Sequence, residues 1–260
     1  MQFRPCIDIH DGRVKQIVGG SLGHEDRAKE NFVSEKDAAF FAAFYREKHL
    51  KGGHVILLNG REHPLYEKTK EQALKALQAY PMGLQAGGGI TDQNAEEFLE
   101  AGASHVVVTS FVFREGRIDY DRLERLVKEI GREHIVLDLS CRKKDGEYYI
   151  VTDRWQKYTD TVLDLELLRK LEGSCDEYLI HAVDVEGKVS GIEEGVIKLL
   201  GSYENRPVTY AGGVHDYQDL EDLKRIGNGH VNVTIGSALD LFGGSMSLDR
   251  VMEICAYGNC

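Results

Sequence analysis

Eight short apolar runs, rich in β-branched residues, alternate with helical stretches along the whole chain, and this alternation restricts the possible folds. The runs fall near residues 3–9, 54–58, 83–86, 105–109, 134–139, 177–181, 207–211 and 231–235. The helical candidates are 35–50, 67–80, 92–102, 117–131, 162–173, 192–200, 216–226 and 246–257. Strands that are apolar throughout are typical of parallel sheets, which are covered on both faces. Eight such units predict an α/β fold, a (β/α)8 TIM barrel that forms one domain over residues 1–260.

An open, doubly wound sheet is the alternative for alternating strands and helices. That fold usually has fewer strands at this length and a glycine-rich turn after the first strand, where this chain has CIDIHDG. Long polar segments, 18–34 and 142–160, follow the first and fifth strands, and YYIVT in the second is predicted to form a hairpin strand. Long loops after strands belong to the catalytic face of a barrel. Ser34 and Asp92 are expected to cap the first and third helices.

The strand ends repeat at half the length of the chain. Asp8 ends the first strand and Asp138 the fifth, 130 residues apart. The glycine-rich segments AGGGI and AGGV follow strands three and seven, and strands four and eight end in VVTS and TIGS. Three matches in the same order predict two duplicated half-barrels, about residues 1–131 and 132–260.

Consecutive glycines after a strand let backbone N–H groups approach and hold an anion. A hydroxyl side chain on the next strand adds a donor, and strands seven and eight of a barrel often form a phosphate site. Both halves of the chain have this combination, which predicts a ligand with a phosphate at each end. The candidate residues are Gly88, Gly89, Thr109 and Ser110 in one half, and Gly212, Gly213, Gly236 and Ser237 in the other.

Asp8 and Asp138 are predicted to face each other across the barrel mouth, between the two phosphate sites. Paired carboxylates can divide the acid and base roles when their environments separate their pKa values. Trp155, the only tryptophan, lies in the long fifth loop, where it can stack on a planar ligand. Asp184 follows strand six, in a loop that either closes on substrate or covers the mouth. His181, within that strand, is expected to be a packed side chain.

The composition excludes several functions. A net charge of −11 and a pI near 5.4 argue against general nucleic-acid binding, which needs a basic surface. There is no apolar run long enough to predict a membrane span, and MQFRPCIDIHDG does not have the apolar run of a signal peptide. Five cysteines without CxxC spacing indicate reduced thiols in a cytoplasmic protein. His54 and His215 have no acid or histidine at ligand spacing, so no metal is predicted.

The segments CIDIHDGRVKQIVGG, LQAGGGI, IVLDLS, HAVDVEG and YAGGV, in this order, resemble a family of histidine-biosynthesis isomerases. These enzymes act on phosphoribosylformimino-aminoimidazole carboxamide ribotide, and the similarity is greatest to their eukaryotic-type branch. The resemblance covers nearly the whole chain. It implies a barrel made of two half-barrels, a small substrate with two phosphates, and a cofactor-independent Amadori rearrangement of an aminoaldose to an aminoketose. A monomer is expected.

The resemblance also implies roles for single residues. Asp8 corresponds to the general base at C2′, and Asp138 to the general acid that protonates the ring oxygen as the furanose opens; the opposite assignment stays open. The acid role implies a fold that raises the pKa of Asp138. The two glycine-rich sets correspond to phosphate cradles and Trp155 to a stacking residue. Gly19 and Asp184 are further candidates for contact with substrate.

Two positions depart from the bacterial members of the family: Val183 stands where they often carry threonine, and Asn59 replaces an aspartate of the second strand. Three other functions fit the same fold. The sister cyclase of the pathway shares both aspartates but takes ammonia from a glutaminase, and no glutaminase domain is present in the sequence. The tryptophan-pathway isomerase uses a strand-one cysteine as base, yet Asp8, not Cys6, ends that strand. A non-catalytic barrel that binds a phosphorylated metabolite would not need both aspartates.

Overall fold

The computed structural model describes residues 1–17, 30–153, 155–186 and 191–256, and within them eight parallel strands form a closed barrel. Neighbours in the chain pair in parallel. The ring closes because the N–H of Arg4 donates to the carbonyl of Val233 over 2.8 Å, and the N–H of Val233 donates to the carbonyl of Gln2 over 3.0 Å. The strands are β1 (Cys6–His10), β2 (Gly53–Leu57), β3 (Leu84–Gly87), β4 (Val106–Val108), β5 (Ile135–Asp138), β6 (Glu177–His181), β7 (Val208–Ala211) and β8 (Asn232–Thr234).

Each strand is followed by a helix, so the predicted (β/α)8 barrel is confirmed. The helices of the described chain are α1 (Ala38–Glu47), α2 (Tyr66–Ala79), α3 (Ala95–Glu100), α4 (Tyr120–Ile130), α5 (Leu165–Leu171), α6 (Glu194–Leu200), α7 (Tyr217–Ile226) and α8 (Leu248–Ala256). None of the helices found in the described ranges has the length and apolarity to cross a membrane.

Both predicted helix caps are wrong. The carboxylate of Asp37 caps α1 by accepting the N–H of Phe40, whereas the hydroxyl of Ser34 accepts the N–H of Lys36 one turn earlier. Asp92 lies two residues before the cap position of α3 and pairs with Arg125 instead, over 3.2 Å. Asp119, Asp164 and Asp216 cap α4, α5 and α7 by the same mechanism as Asp37.

The interior of the barrel is layered. Val107, Val136, Leu179 and Ala211, from β4 to β7, form a buried apolar cluster. A polar layer lies at the N-terminal ends of the strands, where Glu177 accepts hydrogen bonds from the side chains of Arg4 (3.0 Å), Gln85 (3.2 Å) and Thr209 (2.6 Å). The C-terminal ends of the strands, above the apolar cluster, are left to form a cavity.

Two insertions extend the C-terminal face. After β1, strand Arg13–Ile17 pairs antiparallel with β1 and with strand Glu30–Val33. After β5, an antiparallel sheet forms from Cys141–Lys144, Glu147–Thr152 and Lys157–Val162. The predicted hairpin strand YYIVT is thus confirmed as the central strand of this sheet, with a partner on each side.

Candidate active site

A cavity of about 790 Å³ opens at the C-terminal ends of the strands, where barrels of this kind carry their sites. Its lining draws on the ends of all eight strands and on the sheet inserted after β5. The structure brings together almost the entire predicted set: Asp8, Gly88, Gly89, Thr109, Ser110, Asp138, Trp155, Gly212, Gly213, Gly236 and Ser237.

Asp184 is the one predicted residue within the described ranges that is not part of this lining. The carboxylate of Asp184 accepts hydrogen bonds from Nε of Arg142 and from the backbone N–H of Lys143, each over 2.8 Å. These bonds attach the loop after β6 to the inserted sheet, so the structure places Asp184 at a loop contact and not at the cavity wall. Gly19 lies outside the described residues.

The two glycine pairs need glycine for steric reasons. Gly88 and Gly89 have φ values of +98° and +73°, and Gly212 and Gly213 have +129° and +73°. A Cβ at Gly88 would lie 2.1 Å from the carbonyl oxygen of Leu57, and one at Gly213 would lie 2.0 Å from that of Gly191. Backbone that turns this way after a strand can direct N–H groups toward an anion.

The polar residues that follow strands four and eight have different surroundings. Thr109 donates its hydroxyl to Oδ2 of Asp138 over 3.1 Å, and Oγ of Ser110 accepts the N–H of Asp153 over 3.3 Å. Gly236 packs against Gln16, because a Cβ there would lie 2.2 Å from Oε1 of that side chain. Thr109, Ser110, Gly236 and Ser237 all border the cavity, and the hydroxyl of Thr109 is the one that donates a hydrogen bond to Asp138.

Asp138 is surrounded by donors. Its carboxylate accepts hydrogen bonds from the hydroxyls of Ser140 (2.7 Å) and Thr109 (3.1 Å), and Nδ1 of His181 lies 3.5 Å from Oδ1. Burial alone would raise the pKa of Asp138, but His181 and the two hydroxyls outweigh burial and hold this pKa below its ordinary value. The prediction of a raised pKa for Asp138 is wrong.

Asp8 has the opposite environment. Burial, and then repulsion from the carboxylate of Glu186, raise the pKa of Asp8 to about 7, although His181 and the 3.3 Å hydrogen bond from Nε2 of Gln16 act against them. Cys6 shares the inward face of β1 with Asp8, as predicted, and burial raises the pKa of its thiol well above the usual range. Two aspartates of one cavity thus have pKa values displaced in opposite directions, a feature of acid–base sites.

The cavity wall also carries polar residues that the sequence did not mark as site residues, and Gln16, His181 and Glu186 are the ones that surround the two aspartates. His181 is a packed side chain, as expected, although it is only partly buried; it is paired with Asp138, and its ring lies 5.6 Å from that of Trp155. The indole Nε1 of Trp155 donates to Oγ of Ser140 over 3.0 Å. The available signal for His181 was its position two residues beyond Leu179, on the same inward face of β6 and at the C-terminal end of the strand.

His215, Asp216 and Asp219 have ligand atoms within 4.8 Å of one another, so the statement that His215 has no acid at ligand spacing is wrong. The two acids have local roles at the start of α7. Asp216 accepts the N–H of Asp219 over 2.9 Å, and Asp219 accepts the N–H of His215 over 3.1 Å. These hydrogen bonds explain why the three side chains lie close together: they form the N-terminal cap of α7.

The cavity wall is acidic. Over the described parts of the chain it carries four carboxylates and three imidazoles, and neither lysine nor arginine. An anionic ligand would therefore depend on backbone N–H groups, hydroxyls and imidazolium for its binding to this wall.

A (β/α)8 barrel with two glycine pairs and two aspartates of oppositely displaced pKa at its mouth has the features of a barrel enzyme. The comparison of sequences narrows this class. The family described as histidine biosynthesis protein matches residues 2–246, and the chain belongs to this family.

Curated relatives carry the name 1-(5-phosphoribosyl)-5-((5-phosphoribosylamino)methylideneamino) imidazole-4-carboxamide isomerase. A chloroplastic protein of Medicago truncatula with this name is 51% identical over 97% of this chain and 81% of its own length. The Neurospora crassa protein is 45% identical over 97% of both chains. The Saccharomyces cerevisiae protein is 42% identical over 94% of both.

Proposed function

We propose that this chain is an isomerase of histidine biosynthesis that acts on the same bis-phosphorylated carboxamide ribotide as its named relatives. The reaction is an Amadori rearrangement, which converts an aminoaldose to an aminoketose. The observation that carries the proposal is the presence of Asp8 and Asp138 in one cavity with pKa values displaced in opposite directions. The names of the compared relatives favour the isomerase over the cyclase and over a non-catalytic barrel.

Each end of the substrate would be held by one glycine pair. Gly88 and Gly89, with Ser110, would bind one phosphate, and Gly212 and Gly213, with Ser237, the other. The absence of lysine and arginine from the described wall supports this assignment, because backbone N–H groups are then the main donors. Trp155 lies on the wall between these sets, where its ring would stack on the imidazole.

Asp8 is proposed as the base that removes the C2′ proton. A carboxylate with a pKa of about 7 is a much stronger base than an ordinary aspartate and is still half ionised near neutral pH. Asp138, which the surrounding donors keep ionised, would stabilise the positive charge that develops at C1′ when the ring opens. No metal or cofactor is needed for these steps.

Three further expectations remain predictions: a monomer, a cytoplasmic location and an origin by half-barrel duplication. The chloroplastic relative makes the cellular location a question for experiment.

A turnover assay with the purified chain and the aminoaldose tests the proposal. We expect conversion to the ketose by the wild type, and a loss of about 100-fold or more in kcat for both aspartate variants. Asp8→Asn removes a general base, and Asp138→Asn removes a charge that stabilises the transition state; each kind of group contributes at least about that much. Both variants should still bind substrate, as measured by the fluorescence of the single tryptophan, Trp155, on the cavity wall.

Asp153→Asn is the matched control. Its carboxylate borders the same cavity but is half exposed and paired with Lys157 over 2.7 Å. We expect this variant to keep kcat within about threefold of the wild type, since surface ion pairs contribute little. Near-normal kcat in Asp8→Asn or Asp138→Asn would contradict the two-carboxylate mechanism, and no conversion by the wild type would contradict the activity.

A further inference from the structure

His181 lies among the ionisable side chains of the cavity. It is the last residue of β6, its side chain is 15% exposed, and its Nδ1 lies 3.5 Å from Oδ1 of Asp138 on β5. We propose that protonated His181, with Asp138 as its fixed counter-ion, is the general acid that donates a proton to the ring oxygen of the substrate. This role depends on the isomerase function proposed above.

The groups around His181 decide which side chain carries the proton. Asp8 on β1, His54 on β2, Asp138 on β5 and Glu186 after β6 all interact with it. Burial, and then His181, lower the pKa of His54 to about 3, so His54 is neutral at physiological pH. Burial would also lower the pKa of His181, but the carboxylates of Asp138, Glu186 and Asp8 outweigh it and raise this pKa. Of the two histidines, His181 is therefore the one able to hold a positive charge.

Asp138 is poorly suited to the acid role. Its carboxylate accepts hydrogen bonds from Ser140 and Thr109 and faces an imidazole, and all three contacts favour the ionised form. An ionised carboxylate has no proton to donate. Its position instead favours the imidazolium form of His181 and orients the ring.

The Trp155 indole provides a second constraint on the imidazole. The two ring centroids are 5.6 Å apart with an interplanar angle of 44°, and Nε1 of the indole donates to Oγ of Ser140 over 3.0 Å. Because Ser140 also donates to Asp138, one chain of contacts fixes the indole, the carboxylate and the imidazole together. Within the described residues, Nε2 of His181 makes no hydrogen bond to protein and is left for substrate.

The proton transfers balance without a co-reactant. The proton of His181 moves to the ring oxygen, the C1′–O bond breaks with its electron pair on oxygen, and the nitrogen lone pair forms C1′=N. Asp8 then removes the C2′ proton, C1′=C2′ forms and the C=N electrons return to nitrogen. Asp8 returns its proton to C1′, and the proton of the C2′ hydroxyl restores His181 as the ketone forms. Both residues end the cycle in their starting states.

His181→Gln tests this role, because glutamine can donate a hydrogen bond but cannot transfer a proton at neutral pH. We expect kcat to fall about 100-fold or more while the Kd for substrate changes less than about threefold. In the wild type, kcat should fall at high pH as His181 loses its proton, and this basic limb should be absent in the variant. His105→Gln is the matched control, since His105 forms a similar pair with Asp176 (3.2 Å) but is not part of the cavity wall. Its pH profile should equal that of the wild type.

Histidine NMR titration of the ligand-free protein gives a readout that is independent of turnover. Asp138→Asn should lower the pKa of His181 by about one unit or more, because an opposite charge at this distance shifts a pKa by about that amount. A kcat within about threefold of the wild type in His181→Gln, or a basic limb that persists there, would overturn the acid role. An unchanged His181 pKa in Asp138→Asn would overturn the ion pair. If the wild type shows no turnover, the isomerase function and this acid role both fail, while the titration still decides the ion pair.

Discussion

Asp8 has its raised pKa because burial removes water from the carboxylate and because the charge of Glu186 lies close to it. The folded state therefore binds the Asp8 proton more tightly than the unfolded state does. Between pH 4 and pH 7 the unfolded chain has already lost this proton and the folded chain has not. By linkage, the free energy of unfolding falls as pH rises through this range. This loss of stability reaches its full size above pH 7.

Asp8→Asn should therefore stabilise the protein at pH 8. The gain is at most about 4 kcal/mol, since each unit of pKa shift corresponds to about 1.4 kcal/mol. It should shrink as the pH is lowered and be mostly gone by pH 4, because the unfolded chain binds the same proton as the pH approaches its own lower pKa. Urea unfolding of the wild type and the variant at pH 8, 6 and 4 measures this difference. A stability difference that does not depend on pH would show that ionisation of Asp8 does not destabilise the folded state.

The pKa of Asp138 is an example of a property that could not be predicted from the sequence. Both aspartates end equivalent strands in the pattern, and nothing in CIDI or VLDL separates them. The difference between their pKa values comes from residues that are distant in sequence. His181, on the strand next to that of Asp138, lies close to Asp138, and the charge of Glu186, in the segment after that strand, acts on Asp8. Strand order brings these residues together, so their effect on pKa becomes visible only in the folded chain.

At the scale of elements, hydrophobic periodicity predicted all eight strands and the approximate position of every helix. Helix starts were less predictable. Ser34 and Asp37 are both acceptable capping residues, and the backbone N–H that each one reaches decides which of them is the cap. The sheet inserted after β5 was only partly foreseen, because its outer strands, CRKK and KYTDTV, are polar and half exposed.

The turn after β3 carries the next prediction. In Gly88→Ala the new Cβ would meet the carbonyl oxygen of Leu57 at 2.1 Å and would also need a φ of +98°. The backbone must shift, at a cost on the order of 1–3 kcal/mol for the conformation alone. We expect a lower Tm and a loss of at least about tenfold in affinity for inorganic phosphate, measured by calorimetric titration.

Gly173→Ala is the control for this substitution. Gly173 follows α5, its φ is not in the left-handed region, and its Cβ would meet no atom within 4 Å. Phosphate affinity and Tm should stay close to those of the wild type. Equal phosphate affinity in the Gly88 and Gly173 variants would contradict a phosphate site at the first glycine pair.

Across the whole molecule, the two ends of the barrel have different polar chemistry. The C-terminal end carries acids and imidazoles around a cavity, and the N-terminal end carries the ion pair between Arg4 and Glu177 inside a closed layer. The cluster of Val107, Val136, Leu179 and Ala211 lies between them. In this fold the N-terminal face is usually associated with stability and the C-terminal face with catalysis.

The Arg4–Glu177 pair should therefore affect folding and not turnover. Its side chains are 11% and 5% exposed, with Nη1 of Arg4 3.0 Å from Oε2 of Glu177. Glu177→Gln leaves the guanidinium buried without its counter-ion, which typically destabilises a protein by about 3–5 kcal/mol. We expect a loss of this size in the free energy of unfolding, and an unchanged kcat/KM per folded molecule because the apolar cluster separates this layer from the cavity.

Glu253→Gln makes the same change in an exposed pair, where Arg250 lies 2.9 Å from Glu253 and both side chains are more than half exposed. Because water screens that pair, the expected loss is below about 1 kcal/mol. Urea denaturation of both variants, with kcat/KM measured well below the transition, compares them directly. Similar losses of unfolding free energy in the two variants would show that the hydrogen bonds of a neutral glutamine at this position are enough to replace the charge of Glu177. A fall in kcat/KM confined to Glu177→Gln would show instead that the closed end of the barrel helps to position the strand ends that carry Asp8 and Asp138.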